Sequence, residues 1–165
     1  MTTPRWIKSM LDARQVPYEE CHHQEAFTAQ DVAHEEHVSG HRVAKVVVVM
    51  ADGKPIELIL PASRRVVLDQ VGEIVGASEV RLAREEEMGE VFTGCAPGAI
   101  PALSQWPDVP VLMDASLQVE GKILLQAGTH EDAVRVPFDE WFGLVHPRIE
   151  KFSEPVGVTQ RGGAG

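Results

Sequence analysis

Two stretches of this chain hold residues whose types and spacing could do chemistry. The first is "HRVAKVVVVM", His41 to Met50, where Lys45 stands in the most apolar run of the sequence. Strand side chains alternate between faces, so Val43, Lys45, Val47 and Val49 share one side and Ala44, Val46, Val48 and Met50 the other. Both sides are apolar, and one carries an ammonium group. Lysines are almost never fully buried without a partner, and an unpaired one in apolar surroundings tends to lose its proton. A phosphate or ribose oxygen from a ligand would be such a partner. The plain alternative is a stem that reaches water or a carboxylate such as Asp114.

The second is "TGCAPGAIPALSQWPDVP", Thr93 to Pro110, the longest Gly/Pro-rich segment. Gly98 lets the backbone approach another group closely, while Pro97 and Pro101 fix φ and stiffen the loop. Backbone N–H groups held in this way can face a developing oxyanion without any catalytic side chain. A plain surface crossover has the same composition. Nearby, "LPASRR" places Ser63 before Arg64 and Arg65, which with Arg42 and Lys45 form the best local basic patch, although paired arginines are more often a solvated face. His22, His23, His34, His37 and His41 invite a metal reading, but zinc needs three or four ligands at definite spacing and none can be assembled. Neither metal nor cofactor is expected.

The elements that must position these residues follow from periodicity. Trp6, Ile7, Met10 and Leu11 predict a helix over Pro4 to Arg14. "VPYEECHH" reads as a short strand, and "TAQDVAHEEH" as a helix opened by Thr28 and Asp31. Arg42 to Met50 and "PIELIL" flank Asp52-Gly53, a strong hairpin signal. "DQVGEIVGA" predicts a helix capped by Gly76, "EVRLA" a strand and "REEEMGEVF" a short helix. "VPVLMD", "GKILLQAG" and "AVRVPF" read as strands, and "DEWFGLVHPRI" as a helix stopped at Pro147. A hairpin cannot occur in a purely parallel sheet, so the class is α/β with a mixed, mostly antiparallel sheet and flanking helices. One compact domain over 1–151 and a disordered tail over 152–165 are expected.

Composition narrows the function classes. The 165 residues, 44% hydrophobic and 24% charged, suit one globular domain. No apolar run reaches the roughly 20 residues of a membrane helix, no signal peptide is apparent, and the expected location is the cytoplasm. Cys21 and Cys95 are far apart and read as free thiols. A net charge of -10 restricts any nucleic-acid contact to a local patch. G-x-G-x-x-G, Walker, H-E-x-x-H and G-x-S-x-G motifs are all missing from the sequence.

In order along the chain, "TAQDVA", "HRVAKVVVV", "LPAS", "GAIP", "MDASL" and "AGTHEDAVRV" resemble the YbaK-like aminoacyl-tRNA deacylases, relatives of the editing insertion domain of bacterial prolyl-tRNA synthetase. The likeness spans roughly Tyr18 to Pro147. It implies a metal-independent hydrolase that cleaves the ester of mischarged aminoacyl-tRNA. It also implies that Lys45 contacts the terminal nucleotide and that Gly98, Ala99 and Pro101 frame the aminoacyl pocket. Gly128, Thr129 and His130 fall on the pocket wall by position. There His130 could carry a proton or gate the amino acid, or simply face solvent, and Thr129 could hold water or bond its own turn.

Arg42, Ser63 and Arg64 are the candidate contacts to the tRNA acceptor stem, and Asp114 reads as structural. A synthetase or elongation factor would be the protein partner, with neither DNA nor a membrane involved. One departure is specific: the family commonly continues Pro-Phe-Gly where this chain has Ala102-Leu103-Ser104, a change that bears on pocket shape. A different class of reading is a non-catalytic or regulatory aminoacyl-tRNA or nucleotide-binding module with the same fold. A third is a hydrolase of small esters or amides.

Overall fold

The computed structural model describes residues 3–23, 32–33, 39–104 and 106–156. Helix α1 (Arg5–Ala13) forms on the expected apolar spacing and buries Ile7 and Leu11. The edge strand β1 (Glu19–His22) follows, and then the long pair β2 (Val43–Ala51) and β3 (Lys54–Pro61). Asp52 and Gly53 join that pair with φ of 48° and 81°, the left-handed turn whose twist matches antiparallel strands. Its ladder runs from Ala51↔Lys54 to Ala44↔Pro61.

Beyond the hairpin come β4 (Arg64–Val66), α2 (Leu68–Val75), β5 (Val80–Leu82) and α3 (Glu85–Val91). Gly76 caps α2 in the left-handed conformation, as expected. The remainder is β6 (Val111–Asp114), β7 (Lys122–Gln126), β8 (Asp132–Pro137), α4 (Phe138–Val145), β9 (Arg148–Glu150) and β10 (Ser153–Pro155). The main sheet has the order β1-β8-β7-β2-β3-β6-β9, with β5 added to β2. Its β1·β8, β7·β8, β2·β3 and β2·β5 pairs are antiparallel, while β2·β7, β3·β6 and β6·β9 are parallel. The mixed α/β reading holds.

Both faces of β2 are apolar because both are covered. On one face Ala44 and Val46 pack with Ile7, Leu11, Leu103, Leu125 and Trp141, beneath α1 and α4. On the other, Val49 joins Leu58, Leu60, Val71 and Phe152 under α2, and Val43 joins Leu124, Ala133, Val32 and Ala33. The helix expected over Thr28 to His37 lies outside the described residues apart from Val32 and Ala33, which are helical and buried.

The expected start of the tail needs correction. Phe152 is fully buried, and Ser153–Pro155 pair antiparallel with Val66–Arg64. An isolated aromatic in "EKFSEP" has no periodicity to reveal it, yet it anchors the core of the α2 face. Residues 157–165 of that tail lie outside the described residues.

Candidate functional site

A fork in the sheet organises the site. β7 pairs with β2 only at Val43 and Ala44, and β5 pairs with the same edge only at Val49 to Ala51. Among the described residues, Lys45 to Val47 therefore has no strand paired on that edge, although β3 covers the opposite edge throughout. Val43 O accepts from Ala62 N on the β3 side, whereas Val48 O accepts from Ala83 N on the β5 side. Since backbone groups alternate along a strand, the peptide groups of Val46 point into the gap.

Lys45 stands at this gap, half-buried. Among the described residues nothing pairs with its ammonium group, and burial lowers the pKa of that group. Asp114, the carboxylate considered as its partner, is occupied elsewhere. It accepts from Ser116 N at 3.1 Å, from Ser116 Oγ, and from Phe152 N at 2.9 Å. Burial pushes the Asp114 carboxyl upward, but these hydrogen bonds outweigh it and hold the group below the usual range.

The Gly98 loop is fastened beside the fork. Pro97 to Ala99 form one 3₁₀ turn, with Gly98 exposed and Ala99 and Pro101 buried. Ala96 N donates to Gly128 O at 2.7 Å and Gly128 N to Ala99 O at 2.9 Å, so the two candidate loops are stitched by their backbones. Gly128 has a φ of +85°, and a Cβ there would stand 3.0 Å from Pro4 Cγ. Only glycine meets both constraints readily. Gln126 Nε2 adds a bond to Gly98 O at 3.2 Å. The register Val43↔Leu124, Ala44↔Leu125 places Gln126 next in line beside Lys45 and on the same face, where the strands part.

Thr129 turns inward. Its hydroxyl donates to Asp132 Oδ2 at 2.5 Å and accepts from Glu131 N at 3.2 Å, so it is committed to its own turn. Asp132 is fully buried and also holds His22 through Nδ1. His130, half-buried, lies in the turn that this bond fixes. Sequence reasoning missed Gln126 and Asp132. A polar residue on each flank of "AGTHE" was the available signal.

The residues read as a basic patch have structural partners. Arg42 Nη1 donates to Glu120 O at 2.6 Å and Lys122 O at 3.2 Å. Arg64 donates to Ser153 Oγ and O at 2.7 and 2.9 Å, and Arg65 pairs with Glu154 at 2.7 Å. Ser63 Oγ lies 2.8 Å from His41 Nδ1. Arg64 and Arg65 thus clasp β10 and do not converge on Lys45 as bare charges. His34 and His37 lie outside the described residues.

The departure at Ala102-Leu103-Ser104 is absorbed by the core. Ala102 and Leu103 are fully buried, and Ala102 O accepts from Trp141 Nε1 at 2.7 Å. Ser104 is not among the residues with positive φ, so a glycine is not required there. A cavity of about 650 Å³ lies elsewhere, at the hairpin end between Lys54, Ile56, Val75, Leu112 and Arg148. That end is about 20 Å along β2 from Lys45. The fork, with its polar groups converging, is the better candidate site.

Two solved structures share this fold. Hypothetical protein APE2540 superposes with a TM-score of 0.80 at 21% identity, over 90% of this chain and 99% of its own. A candidate trans-editing enzyme for prolyl tRNA synthetase does so with 0.78 at 21% identity, over 91% and 96%. No curated protein matches by sequence. The family model for the aminoacyl-tRNA editing domain matches residues 23–144, which include Lys45 and both stitched loops, and the chain belongs to that family.

Proposed function

We propose that this protein is a free-standing, metal-independent trans-editing deacylase of mischarged aminoacyl-tRNA, working in the cytoplasm where that substrate is made. The observation that carries the reading is Lys45: a half-buried ammonium without a partner among the described residues, at a gap in the sheet beside the Gly98 turn. The phosphate or ribose oxygens of the terminal nucleotide complete it. Water then attacks the ester carbonyl, and the backbone N–H of Gly98 meets the developing oxyanion, the Ala99 N–H being bonded to Ala96 O. The C–O bond to the ribose breaks, freeing the amino acid and the tRNA hydroxyl. His130 carries a proton or gates the amino acid at the rim, and Thr129 acts by shaping that turn.

Of the three acceptor-stem contacts, all of which also bond within the fold, Arg42 is the most exposed and so the best placed. A net charge of -10 implies modest affinity for tRNA alone, so a synthetase or elongation factor delivers the substrate. The same charge favours the second reading, a binding module that no longer hydrolyses.

The test is deacylation of alanyl-, cysteinyl-, seryl- and threonyl-tRNAs, tRNA for proline included, by wild type and Lys45→Ala with chelator present. Hydrolysis of at least one that falls with the variant is expected. Folded protein that hydrolyses none moves the assignment to the binding module. Failure of excess uncharged tRNA to compete would point to small esters.

A further inference from the structure

Glu57 on β3 is fully buried, and neither carboxyl oxygen has a hydrogen-bond partner among the described residues. It stands opposite Val48 on β2 and beside Val111 on β6, on the face away from Lys45. Val48 packs there with Phe92, Ile100 and Trp106, joined by Trp6, Met88 and Cys95. Two connections tie this position to the Thr93 to Pro110 loop: Glu57 N donates to Pro110 O at 3.0 Å, and its neighbour Val48 packs in one cluster with Ile100, Trp106 and Cys95. We propose that Glu57, as an uncharged acid beneath this loop, latches the loop that carries Gly98 and Pro101, and that its ionisation releases it.

A carboxylate sealed among apolar groups is costly unless it is paired, so ionisation favours any state that lets water in. Burial alone raises the Glu57 pKa well above the ordinary value, with no charged side chain contributing. The titratable group facing it is Cys95, whose thiol is itself pushed up to about 11 by burial and by Glu57. The charges of the covering helices are engaged or turned outward: Arg5 and Asp12 are exposed, Lys8 pairs with Glu20, Glu87 pairs with Arg81, and Glu85, Glu86 and Glu90 are exposed. The loop that would move is the one stitched to Gly128, so the latch reaches the proposed site through Ala96 and Ala99. Its consequence for catalysis rests on the deacylase reading, whereas the latch itself does not.

The experiment compares wild type, Glu57→Gln and Glu57→Met from about pH 6 to about pH 9. Trp6 and Trp106 border the latch, so quenching of tryptophan emission reads the loop and chemical denaturation reads stability. The wild-type unfolding constant is expected to rise relative to both variants by up to about tenfold per pH unit, the limit for one proton. Emission should become more quenchable in wild type alone. Deacylation, corrected for spontaneous hydrolysis, should decline with pH in wild type and hold in Glu57→Gln. Superimposable pH curves for wild type and both variants would overturn the latch, as would a stability difference with no change in quenching. Quenching and stability that respond, with no hydrolysis at any pH, would support the latch and remove the deacylase reading.

Discussion

Lys45 and Glu57 sit on adjacent strands, and burial drives each toward its neutral form. They differ in what lies above them. Lys45 faces a place where the sheet forks and stays half-exposed, whereas Glu57 is fully buried opposite Val48, which packs in a cluster with Phe92 and Trp106. A buried charge without a partner at an opening can be satisfied by something arriving. One without an opening can be satisfied only by moving the cover.

The largest expected effect concerns Lys45. Lys45→Ala should lower deacylation by roughly 100-fold or more, the scale of a lost electrostatic contact in a transition state. Its thermal stability should equal or exceed that of wild type, because a desolvated cation has been removed. A marked drop in melting temperature would make Lys45 a structural group and erase its contrast with Glu57.

Next in size is Gly128→Ala. Its left-handed backbone and the 3.0 Å approach to Pro4 should cost about 1–3 kcal/mol in denaturant unfolding. Activity should fall with it, since the same residue holds Ala96 and Ala99. Gln126→Leu removes only the bond to Gly98 O, with an expected loss of about 1 kcal/mol. If Gln126 positions the turn, kcat should drop more than KM rises, and Gln126→Asn should not restore it fully.

The pH dependence sharpens the comparison because its sign differs between the two groups. Folding raises the Glu57 pKa, so its contribution is fully present below about 4.5 and declines as pH climbs toward the folded value. Folding lowers the Lys45 pKa, so the cost of the buried cation is full below the folded pKa and fades as pH rises toward 10.5. Stability differences from wild type, measured for Glu57→Gln and Lys45→Met across that range, should slope in opposite directions. Parallel slopes would mean that the two environments are not distinct.

Much of the frame was legible because local rules fix it: Asp52-Gly53 set the hairpin, Gly76 the helix end, and the alternation around Lys45 identified the anomaly. What escaped were three of the short strands and the long-range polar partners. β4, β9 and β10 are too short for a period, and Arg64 and Arg65 looked free because Ser153 and Glu154 lie 89 residues away. Glu57 was hidden in "PIELIL" for a related reason. One acid in an apolar strand usually marks a solvent face, and only the tertiary cover shows that this one has none.

The fork also has a spectroscopic consequence. Lys45 and Val47 direct their amides to β3, while the Val46 amide faces the gap between β7 and β5. Under hydrogen exchange β2 should behave as a protected strand with a quick stretch in its middle, at Val46 and at Val48, whose amide faces the same edge. Occupation of the gap would be recorded as slowing at Val46, a label-free gauge of binding that works even where no bond is broken.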